Sequence, residues 1–116
     1  MARKVYKTTD KIKVKIDDIV IEISPLTFEA KSDIQASILA GGQMGVVNAA
    51  RLSIKNAVKS VSGLQNADST EYELEFDGSV LSDSCVDDLL NIDEDDKLSL
   101  VCTSLLNGIP QDFVDP

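Results

Sequence analysis

The side chains with chemistry to offer are carboxylates above all. The 116-residue chain carries 20 Asp and Glu, two Cys, and neither His nor Trp. Without histidine there is no imidazole acid or base, no Ser-His-Asp or Cys-His triad, and no zinc site that uses histidine. Clustered carboxylates suit a hard divalent cation, so spacing is the test. Starting at Asn66, the first, third and fifth positions of an EF-hand-type loop are Asn66, Asp68 and Thr70. The sixth is Glu71 where the sharp turn needs glycine, and the twelfth is Asp77 rather than Glu, so the pattern fails where it discriminates most. Asp93-Glu94-Asp95-Asp96 reads instead as a helix start, with Asp93 as N-cap and the other three in the first turn, where the dipole favours negative charge. A carboxylate pair can hydrolyse a glycosidic bond. With acids this dense their proximity follows from chance, and three Phe and two Tyr make no sugar platform.

The remaining reactive groups are equally unorganised. Cys85 and Cys102 belong to no CxxC pair, and each adjoins a valine, Val86 or Val101, on an expected helix. They read as buried free thiols. Gly41-Gly42-Gln43-Met44-Gly45 looks like a phosphate-binding loop, but it follows a helix rather than a strand and lacks the Lys-Ser/Thr of a P-loop, so it reads as an inter-helix turn. No catalytic, metal-binding or cofactor-binding residue is assigned, and the chain reads as a non-enzyme.

Charge and apolar surface supply the candidates for binding. The net charge is −9, divided as ten basic and six acidic residues in 1–60 against one basic and fourteen acidic in 61–116, that is +4 and −13. An acidic body repels phosphate backbones, and the basic stretch Lys4, Lys7, Lys11, Lys13 and Lys15 has no aromatics interleaved for base stacking, so nucleic acid is not an expected partner. No run approaches the roughly 18 apolar residues of a membrane span, and the N-terminus lacks an apolar signal core. The expectation is a soluble cytoplasmic protein with no membrane role. The residues expected to meet a partner are the basic stripe Arg51, Lys55 and Lys59 and the apolar tail positions Ile109, Phe113 and Val114.

These residues need elements to hold them. Ile12, Val14 and Ile16 alternate with Lys11, Lys13 and Lys15, and after Asp17-Asp18 the period resumes at Ile19, Ile21 and Ile23, which predicts a β-hairpin ended by Ser24-Pro25. From Leu26 or Thr27 the spacing of Phe28, Ala30, Ile34, Ile38 and Leu39 predicts a helix stopped by Gly41-Gly42. A second helix is expected from Gln43 to Val61, with Met44, Val47, Ala50, Ile54, Val58 and Val61 inward, the basic stripe opposite and Gly63 just past its end. After a polar loop at 65–70, Tyr72, Leu74 and Phe76 alternate with Glu71, Glu73 and Glu75, and the Asp77-Gly78 turn leads to a short return, Ser79-Val80-Leu81. Two short helices follow. Ser82 or Asp83 caps the first, which buries Val86, Leu89 and Leu90, and the second buries Leu98, Val101, Cys102 and Leu105 before Asn107-Gly108 ends it. The fold class is thus α+β: an N-terminal β-hairpin, two helices, a second short strand pair and two short C-terminal helices. A polar arm at 1–10 precedes the domain at 11–108, and a tail occupies 109–116.

This order resembles that of small bacteriophage tail assembly chaperones. The resemblance rests on the strand pair Lys11 to Ile23, the helix opening Leu26-Thr27-Phe28, Ile54-Lys55-Asn56-Ala57-Val58-Lys59 leading into Gly63-Leu64, Tyr72-Glu73-Leu74 with Asp77-Gly78, and Cys85-Val86-Asp87-Asp88-Leu89-Leu90. It implies a non-enzymatic helper in the host bacterial cytoplasm, without cofactors, that binds the phage tape measure protein, helps recruit tail tube protein and can self-associate. Other readings of the same residues are an acidic inhibitor presenting Asp83, Asp87, Asp88, Asp93, Glu94, Asp95 and Asp96 to a basic host protein, and a small structural tail component.

Overall fold

The computed structural model describes residues 5–110 and 113–114. Its elements run β1 (Ile12–Ile16), β2 (Ile19–Ile23), α1 (Phe28–Ala40), α2 (Gly42–Ala57), β3 (Val58–Ser62), β4 (Phe76–Asp77), β5 (Val80–Leu81), α3 (Asp83–Ile92) and α4 (Lys97–Ser104), with a 3-10 turn at Glu94–Asp96 before α4. The α+β order read from the sequence is the one observed. β1 and β2 pair antiparallel in the register set by the two-residue turn, Ile16 opposite Ile19 and Val14 opposite Ile21. Along β1 the isoleucines and the valine are buried and the lysines exposed, as period-two alternation requires.

The second helix is shorter than its periodicity suggests. It ends at Ala57, and Val58–Ser62 turns directly into a third strand, antiparallel to β2 in a sheet of order β1-β2-β3. Val-Lys-Ser-Val-Ser has little preference for helix and suits a pleated, half-buried edge. The free edge of β2 supplies the backbone partners that decide the matter. Gly63 therefore ends β3 rather than capping a helix. It has φ of +91°, and a Cβ there would lie 2.8 Å from the Asp18 carbonyl oxygen in the neighbouring turn.

The expected strand over Glu71 to Phe76 also contracts, to the two-residue β4 and an isolated bridge between Gln65 and Glu71. The expected alternation holds at Tyr72 and Leu74, half-buried between exposed glutamates, and fails at Phe76, which is exposed because no strand or helix covers the β4–β5 turn on that side. Its backbone finds other partners: the Tyr72 N–H donates to the Leu64 carbonyl at 3.2 Å, and the Glu75 N–H to the Cys85 sulfur at 3.3 Å. The segment lies extended across the start of α3 without a neighbouring strand to complete a sheet.

The helices close over the sheet. Ile12, Val14, Ile16, Ile21 and Ile23 form one wall of the core, and Ala30, Ile34, Ile54, Val86, Leu89, Leu98, Val101 and Leu105 form the other. Each large side chain so buried contributes about 1.5–3 kcal/mol relative to exposure. Thr27 caps α1 by accepting from the Ala30 N–H at 3.1 Å, and Ser82 caps α3 by accepting from the Cys85 N–H at 3.3 Å. Asp93 is not the N-cap of α4, a position Asp96 holds without a side-chain bond, but its carboxylate reaches over the intervening turn to the same helix start, accepting from the Leu98 N–H at 2.7 Å, the Ser99 N–H at 3.0 Å and the Ser99 hydroxyl at 2.7 Å. Glu94, Asp95 and Asp96 are not in that helix's first turn but in the 3-10 turn ahead of it, because Asp95 and Asp96 adopt left-handed backbone at φ +55° and +57°.

Candidate partner-binding groove

The face that α2 turns inward differs from the one its large apolar residues outline. Gly45, Ala49, Ser53 and Ala57 are all buried, four residues apart, whereas Met44 and Val46 are 69% and 66% exposed and Val47 is 44% exposed. Small residues at i, i+4, i+8 and i+12 keep this face low in bulk, and Ile54 is the large side chain buried with them. The closeness of α1 is measurable at Gly45, where a Cβ would stand 2.5 Å from the Ser37 carbonyl oxygen. Buried Ser53 is satisfied within its own helix, donating to the Ala49 carbonyl at 2.7 Å. On α1 only Ala30 and Ile34 are buried; Phe28 and Leu39 are each 86% exposed and Ile38 46%.

Apolar side chains left out of the core therefore collect at one end of the α1–α2 hairpin. Of the ten large hydrophobic residues exposed among the described residues, six belong to this region: Ile38, Leu39, Met44, Val46, Val47 and, from α4, Leu100. Between them runs an open groove of about 570 Å³, floored by Ala49, Ala50 and Leu90 and walled by Ile38, Val46 and Val47 on one side and Ser99, Leu100 and Thr103 on the other. Asp96 is the one charged residue lining it. Singly scattered exposed hydrophobics are ordinary, whereas apolar side chains gathered along one trough make it the candidate binding surface of the molecule. Its sequence signal was present in two forms: α1 and α2 carry apolar residues around more than one stripe, and small residues recur every fourth position.

The residues expected to meet a partner have other occupations. The Arg51 guanidinium pairs with Asp87, Lys55 Nζ donates to Asp83 Oδ1 at 2.9 Å, and Lys59 Nζ donates to the Ser79 carbonyl at 2.9 Å. Arg51 and Lys55 thus fasten α3 to α2, and Lys59, which the structure places in β3 rather than on the helix, fastens the β4–β5 turn to the sheet. The hydrogen bond and charge of Lys55 hold the Asp83 carboxyl below the usual carboxylate range. Partial burial, with Lys11 nearby, lowers the Lys59 ammonium. A further pair, Lys97 with Asp17 at 2.9 Å, also joins the acidic half to the basic one. The tail docks on its own body: Ile109, Phe113 and Val114 are half-buried against the core, and Val114 bridges Val14 on the outer edge of β1. Residues 111, 112, 115 and 116 of the expected tail lie outside the described residues, as does the start of the expected arm at 1–4.

Reactive groups are held in unreactive states. Cys85 and Cys102 are free and buried, and burial, with Asp93 nearby, pushes the Cys102 thiol up to about 12. Burial, with Cys85 and Asp88 close by, raises the Tyr72 phenol, whose hydroxyl donates to Asp88 Oδ2 at 2.8 Å. Among the described residues no group of three or more Cys, Asp or Glu is placed to hold a metal ion, and no helix is long and apolar enough to cross a membrane.

This is a small α+β protein with an open apolar groove between its helices. The chain matches no protein-family model, no curated protein and no solved structure.

Proposed function

We propose that the chain is a non-enzymatic assembly chaperone of the bacteriophage tail type, acting in the host cytoplasm, which shields apolar helical stretches of the tape measure protein and brings tail tube subunits to them. The observation that carries this reading is the groove at the end of the α1–α2 hairpin: an apolar trough bounded by helices accepts the apolar face of another helix. The order of elements from Lys11 to Leu106 adds the resemblance. The acidic-inhibitor reading draws less support, because Asp83, Asp87, Asp88 and Asp93 are engaged within the fold.

The test is co-expression with a tape measure fragment. The expected result is a soluble complex that survives gel filtration, lost when Val47→Asp and Leu100→Asp place charges in the groove. Aggregation of the fragment beside abundant folded chaperone would refute the reading. So would recovery of the protein as a stoichiometric component of purified virions, which would make it a structural subunit.

A further inference from the structure

The groove's single charge suggests the character of what fills it. Asp96 makes no side-chain hydrogen bond or ion pair among the described residues, although Asp93, three positions earlier, is fully engaged at the start of α4. Exposed Glu94 and Asp95 adjoin it, and no basic residue lines the groove. A second copy is a poor occupant. It brings another −9 of net charge, and three of the four cations on its helices, Arg51, Lys55 and Lys97 but not Lys31, are already ion-paired.

We propose that the groove receives an amphipathic helix of a partner protein carrying a lysine or arginine beside its apolar face, placed to meet Asp96. This rests on the groove being the client site argued above. α4, at eight residues, is about 12 Å long, so the groove takes about two turns of helix, anchored by apolar residues at i, i+3 or i+4, and i+7. Apolar contact supplies the affinity and the acidic lip selects orientation and partner.

Two synthetic helical peptides of about 18 residues test this, sharing one leucine face and differing only in flanking Lys or Glu, titrated by fluorescence anisotropy at about 0.05 and 0.5 M salt. The Lys peptide is expected to bind about tenfold tighter than the Glu peptide at low salt, with the difference narrowing at high salt. Asp96→Asn, which removes the charge while still tolerating left-handed backbone, should weaken the Lys peptide about three- to fivefold and leave the Glu peptide bound no more weakly than before. Val47→Asp should abolish binding of both with the circular dichroism spectrum unchanged. Equal affinities, indifference to Asp96→Asn, absence of binding, or a wild-type dimer made monomeric by Val47→Asp would each overturn the inference. Peptide selectivity without solubilisation of the tape measure fragment would refute the chaperone reading and leave this inference standing. Solubilisation without peptide selectivity would do the reverse.

Discussion

Gly45→Ala is the sharpest probe of how α1 and α2 meet. In the interior of an ordinary helix this change stabilises by about 0.5–1 kcal/mol, since alanine loses less backbone entropy and has the better helix propensity. Here the new methyl would stand 2.5 Å from the Ser37 carbonyl oxygen. Ordinary contact begins at about 3.4 Å, so relief needs about 0.9 Å of movement. The obstacle is main chain inside α1, which cannot rotate away as a side-chain tip would. Overpacking of this kind costs about 1–3 kcal/mol, and a clash with main chain falls toward the upper part of that range, so the net after the propensity gain is a loss of up to about 2.5 kcal/mol. Urea denaturation reads this as a lower midpoint at unchanged slope. Asn48→Ala, on the exposed side of α2, is the control and should stabilise slightly. If Gly45→Ala raises the midpoint as much as Asn48→Ala does, the close approach is wrong. The substitution also moves Ile38 relative to Val46 and Val47, so binding at the groove should weaken with stability.

Two further substitutions separate structural acids from spare ones. Asp93→Ala removes the acceptor for three hydrogen bonds at the start of α4 and should cost about 1–2 kcal/mol, whereas Asp96→Asn should stay within about 0.5 kcal/mol of wild type; equal effects in urea would contradict this hydrogen-bond geometry. Asp83 is held below its ordinary pKa by Lys55, so its contribution to stability is present above the unfolded carboxylate range and is lost as pH falls through the depressed folded value. Asp83→Asn should accordingly lower the Tm slightly near pH 7 and make no difference near pH 2; a gap that persisted in acid would assign the effect to something other than the Lys55 pair.

Local pattern alone determined much of this protein. Period-two alternation in β1 and β2 reports one buried face, Thr27 and Ser82 act where capping chemistry places them, and buried thiols follow from cysteines among valines on short helices. The missing histidine closes off its chemistry before any fold is known. What a one-dimensional pattern lacks is the identity of the neighbour. Val58 to Ser62 continues a helical spacing but becomes a strand because β2 offers an unpaired edge. Arg51, Lys55 and Lys59 form a basic stripe in sequence, yet α3 and the β4–β5 hairpin fold over them, so the charge asymmetry between the halves is partly neutralised within the molecule. The groove could be located only in three dimensions. Which side of α2 faces inward depends on how near α1 comes, and at Gly45 that approach leaves no room for a Cβ; Gly45, Ala49, Ser53, Ile54 and Ala57 are buried, while Met44, Val46 and Val47 stay outside.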